Sequence, residues 1–253
     1  MGSVNGKTTQ VIYETKGRAR EYNELAINLF TGCGHGCVYC YGADVLMKNR
    51  EQFYQEPKVR DHILEKIESD CRKLRGEKRS ILLCFVTDPY QPIEDGITRK
   101  AIEILHFYGL KVIILTKGGL RARRDFDLLG VGDAFATTLT LCDLGESHDW
   151  EPGAAPPHER MQSLREAHKK GIETWVSLEP VIDPTQTLTL IETTHNFVDS
   201  YKVGTLNYIE KLPDRFKARI KNIDWRKFAH DVKEKLDSIG CKYYLKEDLR
   251  RWL

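Results

Sequence analysis

Thr31-Gly-Cys-Gly-His-Gly-Cys-Val-Tyr-Cys-Tyr-Gly42 sets Cys33, Cys37 and Cys40 in a C-x3-C-x2-C spacing directly after a hydrophobic run. Three thiols so close together point to a metal. Gly32, Gly34 and Gly36 let the backbone bend with positive φ, so a short loop can turn three sulfurs toward one point with its amide N–H groups facing them. The ligand count is informative. A structural zinc site needs four ligands, and no second Cys-x2-Cys or Cys/His pair lies nearby, which leaves His35 or a distant cysteine to complete one. A [4Fe-4S] cluster usually takes four thiolates, so one held by three leaves an iron open to another ligand. A disulfide or unligated thiols are the remaining readings of the same residues.

The surrounding composition sets bounds. With 253 residues, 41% hydrophobic and 30% charged, the chain can build one sizeable soluble core, and no Pro/Ser-rich linker divides it. A single domain over 1–253 is expected: an N-terminal extension at 1–24, a core at 25–207 and C-terminal elements at 208–253. No apolar run reaches the ~18 residues of a membrane span, so no membrane partner is expected. The first residues, MGSVNGKTTQ, carry neither an apolar core nor a cleavage pattern, and the seven cysteines then belong in a reducing compartment. The expected location is cytoplasmic. A net charge of +2 permits nucleic-acid binding without arguing for it.

Outward from the cysteine loop the pattern is a repeated strand and helix. Leu25 to Phe30 reads as the first strand of the core. Val59, Ile63, Ile67, Cys71 and Leu74 recur at helical spacing, predicting an amphipathic helix over 59–75 with Cys71 on its buried stripe. Ile81 to Val86 is a continuous apolar run, as expected of a parallel strand buried on both faces. Further strands are predicted at 111–116, 133–141, 172–178 and 198–204, with helices at 98–108, 120–129, 157–170 and from Pro184 to about His195. Asp183-Pro184 and Asp224 read as helix starts. A short strand at 241–245 follows the last helix. Repeated βα units imply an α/β fold with parallel strands and right-handed crossovers, either a barrel or an open doubly wound sheet.

Polar residues gather at the carboxyl ends of the predicted strands, where barrel enzymes do chemistry. They are Thr31, Thr87 with Asp88, Thr116 with Lys117, Thr138 with Thr140 and Asp143, Ser177 with Glu179, and Lys202 with Asn207. The strand starts carry no comparable set, so a shared pocket is expected. Arg121, Arg123 and Arg124 open the predicted helix after the third strand, where cations oppose the helix dipole, which suggests either a bound anion or a solvated basic face. Residues 142–157 form a loop of about 16 residues where a few are usual, predicting a lid that carries His148, Asp149 and Glu151.

The C-x3-C-x2-C motif with Tyr39 just before its last cysteine resembles the radical S-adenosylmethionine (radical SAM) superfamily. Within it, GCGHGCVYCY at 32–41, TDPYQPIE at 87–94 and LTKGG at 115–119 resemble the spore photoproduct lyase or DNA repair photolyase branch. The resemblance runs from about Tyr13 to about Asn207. It implies a partial (β/α)6 barrel, a [4Fe-4S] cluster on Cys33, Cys37 and Cys40, and S-adenosylmethionine on the open iron. One-electron reduction would then give a 5'-deoxyadenosyl radical that abstracts hydrogen from substrate. By the same resemblance Thr87, Asp88, Lys117 and Thr138 contact S-adenosylmethionine and Tyr39 lies beside its adenine.

The resembled lyase splits a thymine dimer in DNA with a cysteine as hydrogen donor and tyrosines beside its cluster. Tyr39 and Tyr41 match those tyrosines by position. The donor candidates are Cys84, offset by one residue from the family position, and Cys142 after the fourth core strand. A nucleic-acid substrate, with the three arginines on phosphate, and a one-electron donor such as a flavodoxin or ferredoxin are the implied partners. Two other readings stay open: radical SAM chemistry on a peptide or small metabolite, and a non-enzymatic metal-binding interaction module.

Overall fold

Eight strands form one sheet whose spatial order follows the chain, in a computed structural model that describes residues 10–93 and 96–253. They are β1 (Tyr13–Glu14), β2 (Leu25–Ile27), β3 (Ile81–Leu83), β4 (Val112–Thr116), β5 (Ala134–Thr138), β6 (Glu173–Leu178), β7 (Ser200–Val203) and β8 (Lys242–Leu245). β1 pairs antiparallel with β2 and every later pair is parallel. Parallel neighbours need crossovers, and these are supplied by α3 (Ile63–Lys73), α4 (Ile97–Phe107), α6 (Pro157–Lys169), α7 (Pro184–Thr194) and α9 (Trp225–Ile239), with a 3-10 turn, Gly119–Asp125, between β4 and β5. The six expected core strands are present as β2 to β7, and no pairing joins β8 to β1 among the described residues, so the barrel is partial. No helix among the described residues is long and apolar enough to cross a membrane.

Alternation along the strands divides two layers. Leu25, Ile27, Ile81, Leu83, Val112, Ile114, Phe135, Val176 and Val203 face the helices and pack with Ile67, Ile102, Leu164, Leu190 and Val232 in the main core. Ala134, Ala136 and Trp175 share the inner face with Ile113, Leu115 and Tyr22. Small alanines there make room for the Tyr22 ring, delivered by the segment between β1 and β2. Asp183 and Asp224 accept from the backbone N–H groups of Gln186 and Lys227, capping α7 and α9 as their sequence signals predict. Cys71 is fully buried on the inner stripe of α3.

Three expectations change. The helix expected from Val59 starts at Ile63, because Val59 bridges Phe30 and His62 takes a left-handed φ of 54°. The helix expected over 120–129 is a 3-10 turn, Gly119–Asp125, opened by two glycines of poor helix propensity. The segment expected to be a lid contains α5 (Leu144–Trp150), capped by Asp143, and Trp150 anchors it in an apolar cluster with Leu141, Ile182 and Phe216. Glu94, the last residue of the TDPYQPIE motif, and residues 1–9 of the N-terminal extension lie outside the described residues.

Candidate active site

The cysteine loop is fixed by backbone contacts from three directions. The Gln91 side chain donates to Gly32 O and accepts from Gly34 N, both at 2.8 Å. Cys33 N donates to Phe53 O of α2 (Arg50–Gln55) at 2.9 Å. From the same helix, Arg50 donates to Val38 O at 2.6 Å and to Cys40 O at 2.9 Å, while Tyr54 OH donates to Cys37 O at 3.2 Å. Gly36 turns with φ +60° between the first two cysteines. Neither Arg50 nor Gln91 was singled out by sequence, since nothing local marks a side chain that braces a distant loop.

The segment after α5 closes the third side as a wall rather than a lid. Val38 N donates to Trp150 O, Gly153 N to His35 O and Ala155 N to Lys117 O, each at 2.9 Å. The approach is so close that a Cβ on Gly153 would lie 2.2 Å from Gly34 O. Glu151 is buried here, not exposed: Tyr39 OH donates to its Oε1, and its Oε2 lies 2.6 Å from Arg160 Nη1. Arg160 Nη2 is buried with no hydrogen-bond partner among the described residues. His148 and Asp149, by contrast, are exposed.

Asp88 was expected to contact S-adenosylmethionine, but its oxygens are engaged within the chain. Oδ1 accepts from Tyr90 N at 2.8 Å and Thr116 Oγ1 at 2.6 Å; Oδ2 accepts from Lys117 N at 2.7 Å and lies 3.4 Å from His35 Nδ1. Arg121 Nη2 stands 3.1 Å from His35 Nε2. A guanidinium can only donate, so Nε2 accepts and Nδ1 carries the proton that faces Asp88. Burial lowers His35 to about 4, keeping the ring neutral.

Lys117, Thr87 and Thr138 face the same mouth. Burial works against the Lys117 charge, yet Cys37 and Glu151 raise its pKa above the ordinary value, and Nζ stands 5.5 Å from the Tyr39 ring centroid. The Thr87 hydroxyl is buried beside the Cys84 thiol, and Thr138 is buried at the end of β5.

Deeper in the barrel a second polar group surrounds Tyr22. Its hydroxyl donates to Glu179 Oε2 and lies 2.9 Å from Ser177 Oγ. Lys246 Nζ sits 2.6 Å from the same carboxylate oxygen and 4.4 Å from the Tyr22 ring centroid. Lys202 donates to Glu21 O and Tyr22 O, and burial lowers it to about 8 with Lys246 adding to the shift. The strand-end residues Ser177, Glu179 and Lys202 thus meet, but around a tyrosine and a lysine that sequence spacing did not connect to them.

The Tyr41 ring lies 6.4 Å from Phe85 and 6.4 Å from Tyr208. Cys84 turns with φ +60° and its Sγ accepts from Leu29 N at 3.5 Å within the main core. Cys142 faces Gln186, whose Oε1 accepts from its N at 2.8 Å. The basic stretch is also occupied: Arg121 donates to Tyr90 O, Arg123 pairs with Glu166 at 3.3 Å, and Arg124 lies over the Tyr90 ring.

A model of the Radical SAM superfamily matches residues 27–198, well over half the chain. The chain belongs to the radical SAM superfamily. Membership implies an enzyme that uses S-adenosylmethionine and an iron–sulfur cluster. Among solved structures, this radical SAM chain is similar to a spore photoproduct lyase mutant with bound AdoMet and dinucleoside spore photoproduct. Identity is 15%, with 96% of this chain and 80% of that chain covered at a TM-score of 0.68. It is also similar to Streptococcus suis SuiB bound to the precursor peptide SuiA, at 14% identity over 87% of this chain and 48% of that one, with a TM-score of 0.61. A curated relative, the uncharacterized protein ORF301 of Acidianus two-tailed virus, is 26% identical over 70% of this chain, which spans 63% of that relative's length.

The residues fit the implied cluster. Cys33 and Cys37 are buried and Cys40 half-buried on one braced loop. Burial pushes Cys33 well above its ordinary value, Asp88 adding to the shift, and pushes Cys37 up to about 12 against the pull of Lys117. Iron would displace those protons, since it is the thiolate that binds. Among the described residues no three His, Cys, Asp or Glu side chains converge as ligands of a single metal ion. A four-iron cluster asks for wider spacing, because each thiolate meets a different iron.

Proposed function

We propose that this protein is a radical SAM enzyme that binds a [4Fe-4S] cluster through Cys33, Cys37 and Cys40 and removes a hydrogen atom from a nucleobase-bearing substrate. The observation that carries the reading is the gathering of these three thiols on a loop braced by Gln91, Arg50 and Tyr54, at the carboxyl mouth of a partial barrel. When bound, the cluster supplies the electron that cleaves S-adenosylmethionine to methionine and a 5'-deoxyadenosyl radical.

The protein's part is binding, orientation and exclusion of water. Lys117 supplies an ammonium for the methionine carboxylate, and the buried Thr87 and Thr138 hydroxyls offer hydrogen bonds to the same ligand. Asp88 acts as a positioning residue, tying β4 to the turn after β3 and to His35. Tyr41, between Phe85 and Tyr208, forms an aromatic surface on which a base can stack, a contact worth about 1 to 3 kcal/mol. The Cys84 sulfur is buried in the main core and Cys142 faces Gln186, so a cysteine-dependent lesion cleavage is not part of this reading.

The test is anaerobic reconstitution with iron and sulfide, then reduction in the presence of S-adenosylmethionine and assay for 5'-deoxyadenosine. Its formation only when all three cysteines are intact supports the reading. Abundant cluster without any 5'-deoxyadenosine would favour the metal-binding module. Stimulation by peptide rather than oligonucleotide would favour the SuiB-like alternative.

A further inference from the structure

A cavity of about 260 Å³ opens between β1 and the start of α3, lined among others by Tyr13, Asn28, Arg60, Asp61 and Lys66. Its location ties it to the mouth of the barrel. Asn28 follows β2 and its Oδ1 accepts from Val86 N at 2.8 Å, next to the Phe85 ring that meets Tyr41.

Donor capacity is left over here. Arg60 is half-buried, its backbone N is held by Leu29 O at 3.0 Å, and its guanidinium makes no hydrogen bond or ion pair among the described residues. Tyr13 OH accepts from Asn28 Nδ2 at 2.9 Å, leaving its own proton free to donate. Lys66 Nζ donates one proton to Asp61 O at 2.9 Å and has two more. Two cations and a phenol face one exposed carboxylate, Asp61, so the cavity favours an anion. Its volume exceeds the roughly 30 Å³ share of one water many times over, leaving room for an anionic group with part of the molecule that bears it.

We propose that this cavity is a phosphate subsite, in which Arg60 and Tyr13 hold a backbone phosphate of a single-stranded or looped-out nucleic acid next to the nucleotide at Tyr41. The proposal rests on the nucleic-acid reading above. It moves the phosphate contacts from Arg121, Arg123 and Arg124, which the chain itself engages, to a side of the mouth where an arginine is left open among the described residues. Arginine suits the role because its planar fork matches two phosphate oxygens.

The experiment is a salt series of fluorescence anisotropy with the reconstituted protein and a labelled single-stranded oligonucleotide, comparing wild type, Arg60→Gln, Arg60→Lys and Arg123→Gln. Arg60→Gln should weaken binding roughly tenfold. It should also flatten the slope of log affinity against log salt by about 0.7, the loss of one phosphate contact on a single strand. Arg60→Lys should keep the slope, and Arg123→Gln should match wild type. Equal melting temperatures and iron content exclude misfolding. Wild-type binding that is salt-dependent, with an unchanged slope in Arg60→Gln, overturns the subsite alone. No salt-dependent binding by wild type overturns the nucleic-acid reading itself.

Discussion

The hydroxyl of Tyr39 donates to Oε1 of Glu151, a carboxylate 112 residues further along the chain. The bond joins the residue between the second and third cysteines to a segment whose length alone suggested a mobile lid. Glu151 in turn pairs with the buried Arg160. Burial alone would raise the Glu151 pKa, but Arg160 and Lys117 hold it below the usual glutamate value. A depressed folded-state pKa contributes stability that is complete above the unfolded pKa, near 4.3, and is lost as pH falls through the folded value.

Glu151→Gln should therefore cost about 3 to 5 kcal/mol at neutral pH, because it leaves Arg160 buried without its counter-charge. The penalty should shrink as pH is lowered past the carboxylate range. Urea melts at pH 7 and in a series from pH 4 downward check this; a penalty that stays equal across the whole series would show that the Glu151 charge does not matter. In the reconstituted protein the same change removes an anion near the cluster and should raise its midpoint potential, read by potentiometric EPR.

Replacing Cys33, Cys37 or Cys40 with Ala should abolish the iron–sulfur absorption and iron content. Replacing Cys71, Cys84, Cys142 or Cys241 should leave both intact. Iron lost on removal of any of the latter four would mean that the ligand set is different.

Asp88 and Lys117 should separate in their effects. Lys117→Ala should keep the cluster and weaken S-adenosylmethionine binding by about 1 to 3 kcal/mol. Asp88→Asn removes the charge that holds Thr116, Lys117 N and His35, so it should lower the melting temperature and the yield of reconstituted cluster. Calorimetric titration and thermal melts distinguish the two; a stable Asp88→Asn protein with only weakened ligand affinity would return Asp88 to the role of direct contact.

Gly153→Ala should be destabilising although the residue lies far from the cysteines in sequence, since its Cβ would fall 2.2 Å from Gly34 O. The wall and the cysteine loop cannot both keep their places. We expect a loss of about 1 to 3 kcal/mol and poor cluster retention, measured by melting and iron content. Normal values for both would show that the two segments yield without cost.

Local patterns made the cysteine loop, the alternating strands and helices, and the Asp caps legible, because each depends on neighbours a few residues apart. Asp143-Leu-Gly-Glu146, a capping pattern, also signalled α5 inside the supposed lid. What sequence did not give were the long-range side-chain partners: Gln91 on Gly32 and Gly34, Arg50 on Cys40 O, Glu151 on Tyr39, and Lys246 with Tyr22 on Glu179. Strand alternation misleads at Cys84, whose positive φ breaks the regular exchange of faces. Arg121 looked like a ligand cation because its partners, His35 and Tyr90, are remote in sequence.

The Tyr22 site has a consequence for how the chain comes to exist. Tyr22 leaves the ribosome before Glu179, which takes its hydroxyl and follows 157 residues later, and Lys246 lies beyond that. At the usual 5 to 20 residues per second, the phenol waits on the order of ten seconds or more before its acceptor is made. The interior of the barrel is therefore completed last, by a tyrosine from one end and a lysine from the other. A nascent chain halted before β8 would expose Tyr22, Trp175 and an unneutralised Glu179, a surface that chaperones are suited to recognise.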